Sequence, residues 1–304
     1  MFKSVAQSFL PVVAALRAAA EPTRLRLLAL LNRGELTVGE LCDILGQSQP
    51  RISRHLKVLS DAGLLDRFRE QSWVYYRTPT TGEARETAGR LLELIDERDD
   101  VLQRDRRRLE AVVAARRRQA EQSTSPAALP REIDEALLAE MGHEPIGALL
   151  DVGTGSGHLL GLLGPKATRA VGIDISSEAL RLARSNVHGA GLSHCELHHG
   201  DMYDLPFPGA LFDTATIDRT LAQAERPDAA LSEVVRTLKA GGRILVVEDF
   251  DRLSERGDAN PLAALRGWFL QAGVDCERIH PIDTEQGLLL IALGRRVAAA
   301  HAAA

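Results

Sequence analysis

From Asp151 to Gly157 the chain reads Asp-Val-Gly-Thr-Gly-Ser-Gly, after an apolar run from Ile146 and before an apolar helical run from His158 to Leu163. That is a strand, a glycine turn and a helix. Gly153, Gly155 and Gly157 let a backbone approach a ligand closely. Further strand-like runs follow, each spaced by a helical pattern. Ala170–Ser176 ends near Asp174, and His198–Phe207 follows a third strand and carries Asp201 and Met202. Leu211–Asp218 is a fourth run, and Leu238–Asp249 a turn and a fifth. Strands alternating with helices predict an α/β fold built on a parallel sheet. Asp174 suits two ribose hydroxyls, and Asp201 suits an adenine amino group. Met202 suits the face of the ring.

A nicotinamide dinucleotide site shares the glycines. Against it, Asp151 precedes them on the first strand. The ordered set resembles class I S-adenosylmethionine (SAM)-dependent methyltransferases over residues of about 130–295. The resemblance implies a Rossmann-like sheet of seven strands, with an antiparallel edge from Asp275–Pro281 and Leu288–Leu293. It implies SAM or S-adenosylhomocysteine (SAH) as ligand. Asp151 and Gly153, Thr154, Gly155, Ser156 and Gly157 would hold the amino-acid moiety. Asp174 with Ile175 would hold the ribose, and Asp201 with Met202 the adenine. Asp218 has two readings, a contact to the SAM amino group or a general base. Such enzymes usually close the substrate pocket with an N-terminal lid and with residues after the fourth strand. Residues 122–148 contain no aromatic side chain, and Asp218–Pro227 has neither His nor an aromatic one.

The charge of the chain is divided: residues 1–120 carry a net of +5 and the remainder −10. A basic half joined to an acidic half predicts nucleic-acid contact confined to the first. Its sequence supports this. Pro22–Leu31 reads as a helix with proline in its first turn. Thr37 and Glu40 have capping-box spacing, Leu41, Ile44 and Leu45 form a buried face, and Gly46 stops the helix. A third helix starts near Ser48, with Ile52, Leu56 and Leu59 as its apolar stripe. The pair is a helix-turn-helix. Ser48, Gln49, Arg51, Ser53, Arg54 and Lys57 face away from the stripe. They are residue types that pair with phosphates and base edges. Leu64–Phe68 and Trp73–Arg77 predict a hairpin wing about a tip at Arg69–Ser72, with Arg67, Arg69 and Gln71 in reach of DNA. Leu25–Leu65 followed by Trp73–Arg77 resembles the ArsR-type winged-helix repressors. The resemblance implies a homodimer on a palindromic operator. It also often implies metal sensing, but Cys42 stands without a second cysteine two residues away, and His55 is the one histidine in residues 1–142. No metal site is expected.

Between the two halves, residues 83–121 are charged and free of proline. Helical throughout, they would span roughly 58 Å. A heptad seam runs through Ala88, Ile95, Leu102 and Leu109, but its second line has Arg98 and Asp105 beside Leu91 and Val112. The expected division is a winged helix over 1–82, a connector or dimer helix over 83–121, and a SAM-binding domain over 122–304. Ser123–Pro130 reads as a linker and Val297–Ala304 as a frayed tail. No apolar run approaches a membrane span, and the first twenty residues lack a signal pattern. The three cysteines show no framework spacing, which predicts the cytoplasm. The chain has 12 aromatic residues, none of them between Tyr76 and Tyr203. A function needing aromatic groups from that stretch is excluded.

These features predict a DNA-binding transcriptional regulator with SAM or SAH as effector. The alternative is a regulator that also methylates a small molecule. A DNA methyltransferase fits less well, because the stretch after the fourth strand lacks an Asn/Asp-Pro-Pro-aromatic motif.

Overall fold

The computed structural model describes residues 9–70, 73–96, 98–123, 131–256, 260–285 and 287–297. Gln71, most of the expected linker and the tail beyond Val297 lie outside the described residues. Two compact units are present, one drawn mainly from residues up to Gln119 and the other mainly from Ala120 onward.

The first unit begins with α1 (Phe9–Ala19), α2 (Pro22–Leu31), β1 (Leu36–Thr37), α3 (Val38–Leu45) and α4 (Gln49–Asp61). The Thr37–Glu40 capping box forms: the Thr37 hydroxyl accepts from the Glu40 N–H at 3.3 Å, and Glu40 Oε2 accepts from the Thr37 N–H at 2.8 Å. Gly46 ends α3 at φ 64°, a left-handed position that glycine adopts without strain. Ile52, Leu56 and Leu59 are fully buried with Leu27, Leu28, Leu41 and Ile44 in one core. The wing consists of β2 (Asp66–Glu70) and β3 (Trp73–Arg77), paired from Asp66↔Arg77 to Glu70↔Trp73. Arg69 and Glu70 are therefore ladder residues rather than part of the expected tip. β1 adds a third strand by pairing Leu36 with Tyr76. Two residues carry too little periodicity to be read as a strand in advance.

The connector is two helices, not one: α5 (Gly82–Glu93) and α6 (Asp100–Ser123). Asp99 Oδ1 accepts from the N–H groups of Val101 and Leu102 at 2.8 and 3.2 Å, and Asp96 accepts from the Arg98 N–H at 2.9 Å. Aspartates compete for backbone donors in this way, so they start helices better than they continue them. The heptad reading also changes. Ala88 and Leu109 are buried in the winged-helix core itself. Asp105, the apparent flaw in the seam, is only 2% exposed and takes a two-pronged bond from Arg26, at 2.6 and 2.7 Å. Two of the basic residues of α6 are anchors as well. Arg108 donates to the Ile44 carbonyl at 2.9 Å, and Arg116 Nε donates to Glu40 at 3.0 Å.

The second unit runs α7 (Arg131–Met141), β4 (Gly147–Val152), α8 (His158–Leu163), β5 (Ala167–Asp174), α9 (Ser177–Gly189), β6 (Cys195–His199) and β7 (Phe212–Asp218). It continues with α10 (Pro227–Thr237), β8 (Leu238–Asp249), α11 (Phe250–Glu255), α12 (Pro261–Gln271), β9 (Val274–Thr284) and β10 (Gly287–Arg296). The sheet has seven strands in the order β6-β5-β4-β7-β8-β10-β9. Pairing is parallel from β6 through β8, and β10 is antiparallel to both β8 and β9. The antiparallel strand thus lies one place in from the edge, which β9 forms. Apolar residues of β4, β5, β7 and β8 make a buried core with Phe212 and Phe269. Ile133, Leu137 and Met141 of α7 are buried too, and Arg243 of β8 donates to the Met141 carbonyl at 2.8 Å. Chain order leaves β4 toward β5 and β6, then crosses to β7 and β8. The crevice at the carboxyl ends of β4 and β7 is the switch point where such sheets bind ligands.

Candidate functional site

On the first unit the expected contact face is open. Ser48, Gln49, Arg51, Ser53, Arg54 and Lys57 are all exposed, as are Arg67 and Arg69 on β2. Burial of the Ile52–Leu56–Leu59 stripe fixes which side of α4 faces outward. Lys57 is paired with Asp61 one turn on, at 3.0 Å, so part of its charge is locally balanced. His55 is half-buried with Nδ1 3.6 Å from Glu21 Oε2, away from that face. Cys42 is half-buried against the core, and burial raises its thiol above the ordinary range.

On the second unit the predicted nucleoside residues converge on the strand ends. The glycine turn is tied down from behind. Gly153 and Thr154 donate their N–H groups to the Ile173 carbonyl at 2.8 and 2.9 Å, and Gly157 donates to Thr154 at 2.7 Å. Gly155 donates to Asp174 Oδ2 at 2.8 Å, while Asp174 Oδ1 accepts from the Ser176 N–H at 2.8 Å. Asn186 of α9 holds the Ser156 carbonyl at 2.9 Å. Four of the turn's N–H groups are therefore spent on the protein, and what the glycines offer a ligand is close approach. A Cβ on Gly155 would meet only the Gly153 carbonyl, at 3.9 Å, so that side of the turn is open. A Cβ on Gly153 would lie 2.2 Å from the Thr220 hydroxyl. Ile175 is 66% exposed beside Asp174. Asp201 is exposed and accepts from the Tyr203 N–H at 3.0 Å, and Met202 packs partly against the core.

Asp151 is 1% exposed, and both its oxygens accept hydroxyls, from Thr154 at 2.6 Å and Thr216 at 2.7 Å. Burial pushes its pKa up to about 7; the two hydroxyls oppose the shift, and the charges of Asp218 and Asp174 add to it. Asp218 is clasped by its neighbour Arg219 at 3.0 and 3.3 Å. Arg219 has φ 47°, a left-handed conformation that ordinary side chains rarely adopt.

Several site residues escaped sequence reading. Glu248 is fully buried at the end of β8 and accepts from the N–H groups of Leu221 and Ala222 at 2.6 and 3.3 Å. Burial pushes its pKa up to about 8. His158 Nε2 lies 2.8 Å from Asp134 Oδ1 on α7. Arg226 stacks on Tyr203, with its guanidinium 5.2 Å from the ring centre. Arg256 donates to the carbonyls of Ala222 and Ala224 at 2.9 and 2.7 Å and lies 5.8 Å above Trp268. None of these pairs has a sequence signature, except that His158 directly follows the last glycine.

A nucleoside with an amino-acid arm fits this donor set. Asp174 is held with its carboxylate beside Gly155, Ile175 and Met202 offer apolar surface, and the face of the turn is open. The sheet and its crevice have the class I methyltransferase arrangement, joined in one chain to a winged helix.

Residues 21–67 match the family described as bacterial regulatory protein, arsR family, and residues 150–246 match the one described as methyltransferase domain. The chain therefore carries an arsR-family helix-turn-helix domain and a methyltransferase domain. The arsenical resistance operon repressor of Escherichia coli (strain K12) is 46% identical over 71 residues, 23% of this chain and 61% of the repressor. A phosphatidylethanolamine N-methyltransferase of Cereibacter sphaeroides is 35% identical over 120 residues, 39% of this chain and 56% of that enzyme. A malonyl-(acyl-carrier protein) O-methyltransferase of Methylococcus capsulatus is 38% identical over 122 residues, 39% of this chain and 44% of the enzyme. The chain spans about half the length of these curated relatives. Among the described residues no helix is long and apolar enough to cross a membrane, and no group of three His, Cys, Asp or Glu side chains is placed to hold a metal.

Proposed function

We propose that this protein is a cytoplasmic, homodimeric transcriptional regulator that binds a palindromic operator through α4 and the wing. In this reading its methyltransferase domain is an effector sensor for SAM or SAH. Asp174 takes the ribose, Asp201 and Met202 take the adenine, and Asp151, Asp218 and the Gly153–Gly157 turn border the amino-acid arm. The observation that carries the reading is a contrast within one crevice. The nucleoside side is open and lined by suitable groups. On the other side, Arg219 clasps Asp218, and Arg256 ties down the stretch after β7 beside a cavity that it lines with Ala222, Gln223, Arg252 and Glu255. That is where a methyl acceptor and its base belong. A ligand changes operator affinity only if it binds the DNA-bound and free conformations unequally. The test is operator affinity by fluorescence anisotropy across SAM and SAH titrations. A constant affinity with both ligands bound defeats the sensor reading.

A second reading has a specific observation behind it. Two of the similar proteins bear the names of a phosphatidylethanolamine N-methyltransferase and a malonyl-(acyl-carrier protein) O-methyltransferase. SAM, when bound, supplies an electrophilic methyl group, and Asp218 would be the base once Arg219 released it. Transfer of a radiolabelled methyl from SAM to a small molecule of cell extract supports this reading; its absence, with SAM bound, leaves the sensor.

A further inference from the structure

The amino-acid arm of SAM or SAH ends in a carboxylate, and the crevice is poor in partners for one. Asp174 and Asp218 end their strands at the crevice and, ionised, offer a carboxylate only further acceptors, while Asp151 is buried with both oxygens taken by hydroxyls. The usual anion donors, the N–H groups of the glycine turn, are mostly spent on Ile173, Thr154 and Asp174. Arg219 is engaged by both oxygens of Asp218. From Asp151 to Leu163 the one basic side chain is His158. It follows Gly157 directly, so it sits where the turn delivers the arm. Its Nε2 already has a carboxylate partner, Asp134 on α7, at 2.8 Å; an ionised carboxylate only accepts, so Nε2 carries the proton. The ring and the aspartate are both about three-quarters buried, at 25% and 27% side-chain exposure.

We infer that His158 is the ligand's carboxylate receptor and that Asp134 is the built-in group this carboxylate displaces. The inference rests on the site taking SAM or SAH. Asp134 mimics the missing end of the ligand and holds α7 to the glycine turn. When the ligand's carboxylate accepts the Nε2–H hydrogen bond, Asp134 is released and α7 loses that tether. α7 is the first described element after α6 in chain order, so the tether that ligand releases lies at the end of this unit nearest in sequence to the DNA-binding unit. No covalent bond changes; one hydrogen-bond acceptor replaces another.

The test is calorimetry on the full chain with SAH and with 5′-methylthioadenosine, which carries the same nucleoside without the amino-acid carboxylate. Asp134→Asn keeps the shape but weakens the competitor, and should tighten SAH several-fold relative to methylthioadenosine. His158→Gln should weaken SAH about tenfold relative to methylthioadenosine, whose binding also shows that the site is folded. Operator titrations of Asp134→Asn should show a smaller response to SAH than the parent, since the tether is already weakened. The inference is overturned if the SAH-to-methylthioadenosine ratio is the same in all three proteins, or if Asp134→Asn weakens SAH selectively. If the parent binds neither ligand, the sensor reading itself falls.

Discussion

Asp105 gives the sharpest contrast between pattern and structure. As a position in a heptad seam it is a polar fault, and replacing it with leucine should strengthen α6. In the structure it is the buried half of an ion pair whose partner, Arg26, is 22% exposed. Removing one member of a buried pair costs about 3–5 kcal/mol, because the other is left buried and unpaired. Arg26 can recover part of its hydration through its exposed edge, so Asp105→Leu should cost about 2–3 kcal/mol. In a unit of roughly 100 residues each kcal/mol moves Tm by about 4–8 °C, so the shift should be roughly 8–24 °C downward. Trp73 lies in the winged-helix unit and Trp268 in the other. In a Trp268→Phe background, Trp73 fluorescence during urea or thermal unfolding reports the first unit alone. The double change Arg26→Met with Asp105→Leu should recover most of the loss, because a matched apolar pair needs no counter-charge. An Asp105→Leu protein as stable as the parent, or more so, refutes the ion-pair argument and restores the seam.

Three other outcomes follow from the geometry. Arg51→Ala and Arg54→Ala should each weaken operator binding; a phosphate contact lowers the salt slope by about one, whereas a base contact costs about 1–3 kcal/mol and relaxes one position of the operator. Glu248 has its folded pKa raised from 4.5 to about 8, so its neutral form is the stabilising one. That contribution is complete below about 4.5 and is lost as pH rises through about 8. The second unit's Tm should therefore fall from pH of about 4.5 to about 8 and level off above, and Glu248→Gln should flatten the fall. Gly153→Ala sets a Cβ 2.2 Å from the Thr220 hydroxyl at a φ of 70°, and should destabilise the second unit and abolish the rise in Tm that the proposed SAH binding is expected to give the parent.

Legibility varied with how local each determinant is. The capping box of α3, the Gly46 stop and the Ile52–Leu56–Leu59 stripe are properties of neighbouring residues, and the structure has them where the spacing put them. The acidic strand ends were equally readable, since a parallel strand feeding a helix declares its own carboxyl end. The wing tip and the connector were read less well. Strand pairing absorbed Arg69 and Glu70, and Asp96 and Asp99 captured backbone donors that a continuous helix would have used.

Partnership across the chain was invisible. Nothing near Asp105 points to Arg26, 79 residues earlier, and nothing near His158 points to Asp134 on another helix. Periodicity records which face of an element is buried, not which charged group meets it there. Local pattern alone is enough for an arsR-type helix-turn-helix with its outward face, and for a parallel sheet with carboxylates at its strand ends. Tertiary structure decided what those carboxylates can do. It buried Asp151 and Glu248 until they hold protons near neutral pH, clasped Asp218 with Arg219, and engaged the glycine turn's own donors. The reason is that a side chain's charge and reach depend on its solvent and its neighbours in space, and both are set only when distant segments close over it.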